Sequence, residues 1–149
     1  MAIPDGRRNT VLIVDDNREL LLLITESLAL LGNYTVLTAE NGADGLTRAV
    51  EQRPDCLVID IKMPGLDGYQ LIRALRGDPD TATIPLVILT ALTQEHYRLA
   101  GLLAGADQYL VKPVKPDALV AAIQQAISLS QDERTTRLRA LAEGSPPDG

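Results

Sequence analysis

Cysteine and histidine are nearly missing from this chain, and long apolar runs are missing altogether. A single cysteine, Cys56, excludes an internal disulfide and any metal centre built from clustered thiolates. A single histidine, His96, excludes a multi-histidine metal centre. No apolar run approaches the roughly 18 residues of a membrane span, and the opening MAIPDGRRNT has no apolar stretch of the signal-peptide kind. These absences predict a cytoplasmic protein with no membrane partner. Positive charge is also scarce. The net charge of −6 disfavours nonspecific attraction to nucleic acid or to an anionic membrane, so no direct DNA binding is expected. No period of the TPR, ankyrin or WD kind is visible. Apolar residues, in contrast, make up 46% of the 149, a globular composition in a chain long enough for one well-buried core.

Five short apolar runs stand out: Val11–Val14, Thr35–Ala39, Cys56–Ile59, Leu86–Leu89 and Gln108–Val111. Four of them are rich in Val, Leu and Ile without alternation, the pattern of parallel strands buried on both faces. Helical patterns lie between them. Leu20 to Leu31 ends at Gly32; Ala43, Leu46, Ala49 and Val50 share a face and stop before Pro54. Leu71, Ile72 and Leu75 stop at Gly77, and Leu99, Leu102 and Leu103 stop at Gly105, a C-cap glycine by position. The last helix opens near Pro116 and carries Leu119, Ala122, Ile123 and Ala126. Strand and helix alternate five times, which predicts a doubly wound α/β fold with helices on both faces of a parallel sheet. Residues 1–9 read as an N-terminal tail, 10–130 as the domain, and 131–149 as a C-terminal helical extension and tail. In that extension Glu133 and Arg137 stand at helical spacing, and Gly144, Pro146 and Pro147 are stop signals.

Four runs end in polar residues. VLIV leads into Asp15 and Asp16, CLVI into Asp60, LVIL into Thr90 and QYLV into Lys112. In a parallel sheet these exits share the carboxyl edge, where α/β proteins bind ligands at the point of strand-order reversal. Three carboxylates, a hydroxyl and an ammonium would then meet in one small cleft. Carboxylates that close repel one another, and a hard divalent cation with oxygen ligands is the natural compensation. Each residue also has a plainer role. Asp15, Asp16 or Asn17 can cap the first helix. Asp60 can start a turn before Pro64 and Gly65, Thr90 can be a cap, and Lys112 a solvated charge. Four such exits in one chain make the constellation the stronger reading.

VLIVDDN, VIDIKMPGLDGY, VILTA and YLVKP together resemble the receiver domain of bacterial response regulators, of the chemotaxis-regulator type, over about residues 10–130. The resemblance implies a flavodoxin-like, five-stranded parallel sheet in the order 2-1-3-4-5 with five helices. It implies that Asp60 is the phosphoacceptor, attacking the phosphohistidine of a sensor histidine kinase or a histidine phosphotransfer protein. Asp15 and Asp16 resemble the acidic pair that holds Mg²⁺, joined by Asp60 and the backbone carbonyl of Lys62. Thr90 resembles the switch hydroxyl, Tyr109 the aromatic that moves with it, and Lys112 the cation that pairs with the phosphoryl oxygens. Lys112-Pro113 matches the family's cis peptide, which only an X-Pro bond makes inexpensive. Such a module catalyses only its own phosphorylation and dephosphorylation and is not otherwise an enzyme. It would signal to a downstream protein target.

Two positions depart from the chemotaxis pattern: Lys62 replaces an amide and Leu92 an acid, both flanking the path of a hydrolytic water. A slow self-dephosphorylation is therefore expected. Leu20–Ile24 is apolar on more than one helical face, consistent with shielding by the C-terminal extension or with a docking surface. His96 is expected on the surface and Cys56 in the core. Other classes fit less well. Haloacid-dehalogenase phosphatases place D-x-D on the first strand, where this chain has adjacent acids. A Rossmann domain needs a glycine loop there. A phosphorylation-independent pseudo-receiver would not keep the full acceptor set. A free-standing regulator and a receiver cut from a hybrid histidine kinase both fit, and a homodimer stays open.

Overall fold

The structure, a computed structural model, describes residues 8–129 and 131–143. The elements follow in strict alternation: β1 (Thr10–Val14), α1 (Arg18–Leu31), β2 (Thr35–Ala39), α2 (Gly42–Gln52), β3 (Cys56–Ile59), α3 (Gly68–Gly77), β4 (Leu86–Thr90), α4 (Glu95–Ala104), β5 (Gln108–Val111), α5 (Pro116–Ser128) and α6 (Gln131–Ala142). All strands pair in parallel, in the order β2-β1-β3-β4-β5. The expected doubly wound α/β sheet is therefore observed, with α6 as a sixth helix.

Strand periodicity divides the core in two. Leu12, Val14, Leu57, Ile59, Leu86 and Ile88 pack with Ala49 of α2 and Leu71, Ile72 and Leu75 of α3. Their neighbours Val11, Ile13, Val58, Val87 and Leu89 point the other way, onto Leu21, Ile24 and Leu28 of α1 and Leu119, Ile123 and Ala126 of α5. Because β1, β3 and β4 are buried on both faces, their sequences need no polar alternation. Cys56 is a fully buried core residue.

Two helix termini are pinned by a neighbouring loop. The N–H of Gly68 donates to the Ile61 carbonyl at 2.9 Å, and a Cβ on Gly68 would lie 2.5 Å from the Asp60 carbonyl oxygen. Only glycine lets α3 start so close to the end of β3. At the other end of α3, the Arg76 guanidinium donates to the carbonyls of Gly105 (2.8 Å), Ala82 (2.9 Å) and Ile84 (2.6 Å). It also meets Asp107 at 3.4 Å, and Asp107 accepts the Leu86 N–H at 2.9 Å.

The C-terminal segment differs from a simple lengthening of α5. Leu129 is extended (φ −74°, ψ 127°), its N–H turned back to Ala126, which ends α5; α6 then packs against α4. Leu22 and Leu23 of α1 accordingly remain 68% and 61% exposed, so the extension does not shield them. The Arg137 side chain, Gly144, Pro146, Pro147 and residues 1–7 lie outside the described residues. Among the described residues, no helix is long and apolar enough to cross a membrane.

Candidate functional site: an acidic cleft at the carboxyl edge

The ladder places the exits side by side. The Asp15 N–H donates to Ala39 (3.1 Å), Asp60 N–H to Val14 (3.0 Å) and Lys112 N–H to Thr90 (2.7 Å), so these residues finish their strands on one edge. Capping of α1 falls to Asn17, whose side chain accepts the Leu20 N–H at 3.1 Å. Asp15 and Asp16 are thereby released from the cap role. Asp15 instead accepts the Asn17 N–H at 2.9 Å and turns into the cleft, 3% exposed, while Asp16 stands at the exposed rim.

One carboxylate oxygen from each of Asp15, Asp16 and Asp60 lies within 4.8 Å of the others. The Lys112 ammonium donates to Asp15 at 2.8 Å and to Asp60 at 3.0 Å. Part of the compensation assigned from the sequence to a divalent cation is thus supplied by lysine. The Lys112-Pro113 peptide that follows is cis. Burial pushes the Asp15 carboxyl above the usual carboxylate range, against the hydrogen bonds from Lys112 and Asn17; the charge of Asp60 contributes least. The direction agrees with crowding of carboxylates, but desolvation is its first cause. For Lys112, burial pulls the ammonium down, and its bonds to Asp15 and Asp60 outweigh that and raise it.

Above the acids opens a cleft of about 540 Å³ lined by Asp16, Asp60, Lys62, Met63, Pro64, Thr90, Ala91 and Leu92. Asp60 forms its floor, 7% exposed, one oxygen held by Lys112 and the other accepting the Lys62 N–H at 3.3 Å. Thr90 is fully buried, and its hydroxyl oxygen accepts the Leu92 N–H at 3.5 Å. The exposed Lys62 and the half-buried Leu92 line the walls. The Tyr109 hydroxyl donates to the Leu92 carbonyl at 2.7 Å, beneath the loop that follows β4. The Tyr109 phenol is pushed up to about 12, first by burial and then by the neighbouring Tyr69, Asp60 and Tyr97. His96 is exposed on α4, its ring 4.1 Å from that of Tyr97.

All seven side chains or backbones singled out from the sequence therefore surround one cleft or its adjoining loop. Not foreseen were the lining residues Met63, Pro64 and Ala91, and the Arg76 node; the PG pair at Pro64 and Gly65 was the available signal for the former. Three oxygen-bearing acids suit a hard divalent cation such as Mg²⁺.

Residues 11–124 match the family model of the response regulator receiver domain. The chain is 40% identical over 118 residues to protein PilH of Pseudomonas aeruginosa, covering 79% of this chain and 97% of PilH. It is 40% identical over 135 residues to the transcriptional regulatory protein PrrA of Mycobacterium tuberculosis, covering 90% of this chain but only 56% of PrrA. Among solved structures, the receiver domain of a sensor histidine kinase from Pseudomonas aeruginosa PAO1, with a magnesium ion coordinated in its active site cleft, superposes with a TM-score of 0.74. That pair is 32% identical, over 81% of this chain and 98% of the other. The sheet order, the acidic cleft and these likenesses agree: the chain belongs to the response regulator receiver domain family.

Proposed function

We propose that the chain is the phosphoacceptor of a two-component system, taking a phosphoryl group on Asp60 in a Mg²⁺-dependent reaction and signalling through protein contacts. The observation that carries this reading is the Asp60 carboxylate at the floor of an open cleft, one oxygen held by Lys112 at 3.0 Å and a buried hydroxyl, Thr90, lining the same space. An Asp60 oxygen attacks the phosphorus of a phosphohistidine in line. The O–P bond forms as the P–N bond breaks, and the ring nitrogen leaves with the electron pair and takes up a proton. Little covalent work falls to the protein, so positioning and charge neutralisation decide the rate. Lys112 and Thr90 would hold phosphoryl oxygens. Asp15, Asp16 and Asp60, with the Lys62 carbonyl, would hold Mg²⁺, which when bound neutralises phosphoryl charge. The chain promotes only its own phosphorylation and dephosphorylation.

A small phosphodonor with Mg²⁺ should add one phosphoryl mass to wild type and none to Asp60→Asn; equal labelling of both would sink the assignment. The partners are a histidine kinase or phosphotransfer protein and a downstream protein. The acidic domain does not itself bind DNA, and salt-sensitive binding to duplex DNA at physiological ionic strength would refute that. The likeness to a receiver within a sensor histidine kinase supports a second placement, as one module of a hybrid kinase, with the same chemistry at Asp60.

A further inference from the structure

The segment joining β4 to α4 is held by two tyrosine hydroxyls, one from each side. From β5, Tyr109 donates to the Leu92 carbonyl at 2.7 Å, two residues beyond Thr90. From α3, Tyr69 donates to the carbonyl of Tyr97, in the first turn of α4, at 3.0 Å. Both rings are half-buried against the same core, and the Tyr109 ring lies over Gly101 of α4, 3.5 Å from where a Cβ would sit. Tyr69 does not hang from a loose element. It follows Gly68, whose N–H bonds to Ile61 and whose Cα leaves no room for a side chain beside the Asp60 carbonyl. A displacement of the β3 exit must therefore carry the start of α3, and with it the Tyr69 phenol.

A phenylalanine would fill the space of the Tyr69 ring equally well. What the hydroxyl adds is a directional bond to a main-chain atom of a different helix, and a backbone carbonyl has room for a second donor. We propose that Tyr69 is a positioning residue that ties the first turn of α4 to the phosphoacceptor strand. A change at Asp60 then reaches α4 by two routes: through Thr90, Leu92 and Tyr109, and through Ile61, Gly68 and Tyr69. This rests on Asp60 being the phosphoacceptor. The element that moves is α4, whose outer face carries the half-exposed Leu99 and Leu103 and receives α6.

The composition supplies the probe. The chain has four tyrosines and neither phenylalanine nor tryptophan. Fluorotyrosine labelling thus gives one fluorine resonance for each of Tyr34, Tyr69, Tyr97 and Tyr109, assigned by single Tyr→Phe variants. Tyr34 packs in the opposite half of the core, with α1 and α5, and serves as internal control. Acetyl phosphate with Mg²⁺ is the phosphodonor, and intact mass reports modification of the same sample. In wild type the Tyr69, Tyr97 and Tyr109 resonances should move on phosphorylation while Tyr34 stays. In Tyr69→Phe, which should be phosphorylated at Asp60 as wild type is, Tyr109 should still move and Tyr97 should lose most of its shift. A hydroxyl with a merely structural role would offset the Tyr97 resonance equally in both states and leave the phosphorylation-induced difference intact, which overturns the inference. So does a wild-type Tyr97 that fails to respond in a fully modified sample. If wild type gains no mass, the phosphoacceptor reading itself fails, and this inference with it.

Discussion

Replacing Lys112 by methionine removes the one ammonium that bridges Asp15 and Asp60 while keeping much of its apolar stem. The two contacts, 2.8 and 3.0 Å, join side chains that are 4% and 8% exposed to a lysine that is 21% exposed. Removing one partner from a buried ionic group leaves the other charges uncompensated, at a cost of about 3–5 kcal/mol. Here the cleft opens to water at Asp16, which favours the lower end, about 3 kcal/mol. For a domain of this size that corresponds to a fall in Tm of roughly 6–12 °C. The cost should depend on pH, with a fixed sign. Burial already raises the Asp15 pKa in the fold, and without the ammonium it rises further. The native variant then binds more protons than its unfolded chain, so its stability falls as pH climbs through the acidic range. The Lys112 ammonium of wild type stays charged throughout that range, because its own pKa is raised and it loses its proton only in alkali. Thermal unfolding followed by circular dichroism at about pH 4 and about pH 7 should show a small gap between the proteins at the first and a large one at the second. Mg²⁺ should close part of the gap, contributing about 1.4 kcal/mol at ten times its dissociation constant, and should raise the variant's Tm more than wild type's. A Tm difference of equal size at both pH values would show that the lysine acts through packing alone.

Three further outcomes follow from the same geometry. Asp16→Asn should remove most of the Mg²⁺-induced rise in Tm, because Asp16 supplies one of the three clustered carboxylates while Asn17 does the capping; an undiminished rise would exclude Asp16 as a ligand. Lys62→Asn combined with Leu92→Glu should shorten the phosphoryl lifetime, followed by loss of the added mass over time, since both residues line the wall of the cleft; an unchanged lifetime would show that neither governs water access. Arg76→Met should cost about 3 kcal/mol in urea unfolding, because Asp107, 3% exposed, loses its guanidinium partner and three loop carbonyls lose a donor. A change within experimental error would mean that these groups find water instead.

The sheet and its acidic edge were legible because their signals are local. An unbroken VLIV or CLVI set between helical patterns reads as a strand buried on both faces, and the residue after it then stands at the sheet edge. The acids of VLIVDDN were ambiguous between cap and cleft, and the structure divides the roles: Asn17 caps, while Asp15 and Asp16 face the cleft. What stayed hidden was held by main-chain atoms from distant loops. Arg76 bonds to carbonyls of Ala82, Ile84 and Gly105, and Tyr69 to that of Tyr97; a carbonyl leaves no mark on the sequence. The course of α6 was equally hidden. Its residues QDERTTRLRALA offer no continuous apolar stripe to show which helix it would meet.

The central claim is that Asp60 becomes an acyl phosphate, and hydride reduction tests it at the level of one atom. Borohydride converts an aspartyl phosphate to homoserine and leaves free carboxylates untouched, so peptide mass spectrometry can read the site. After treatment with acetyl phosphate and Mg²⁺, homoserine should be found at position 60 alone, and it should vanish when the metal is chelated or Asp60 is replaced by asparagine. Homoserine at Asp15 or Asp16 in the wild-type protein, or none at position 60 despite a gain of phosphoryl mass, would contradict the account.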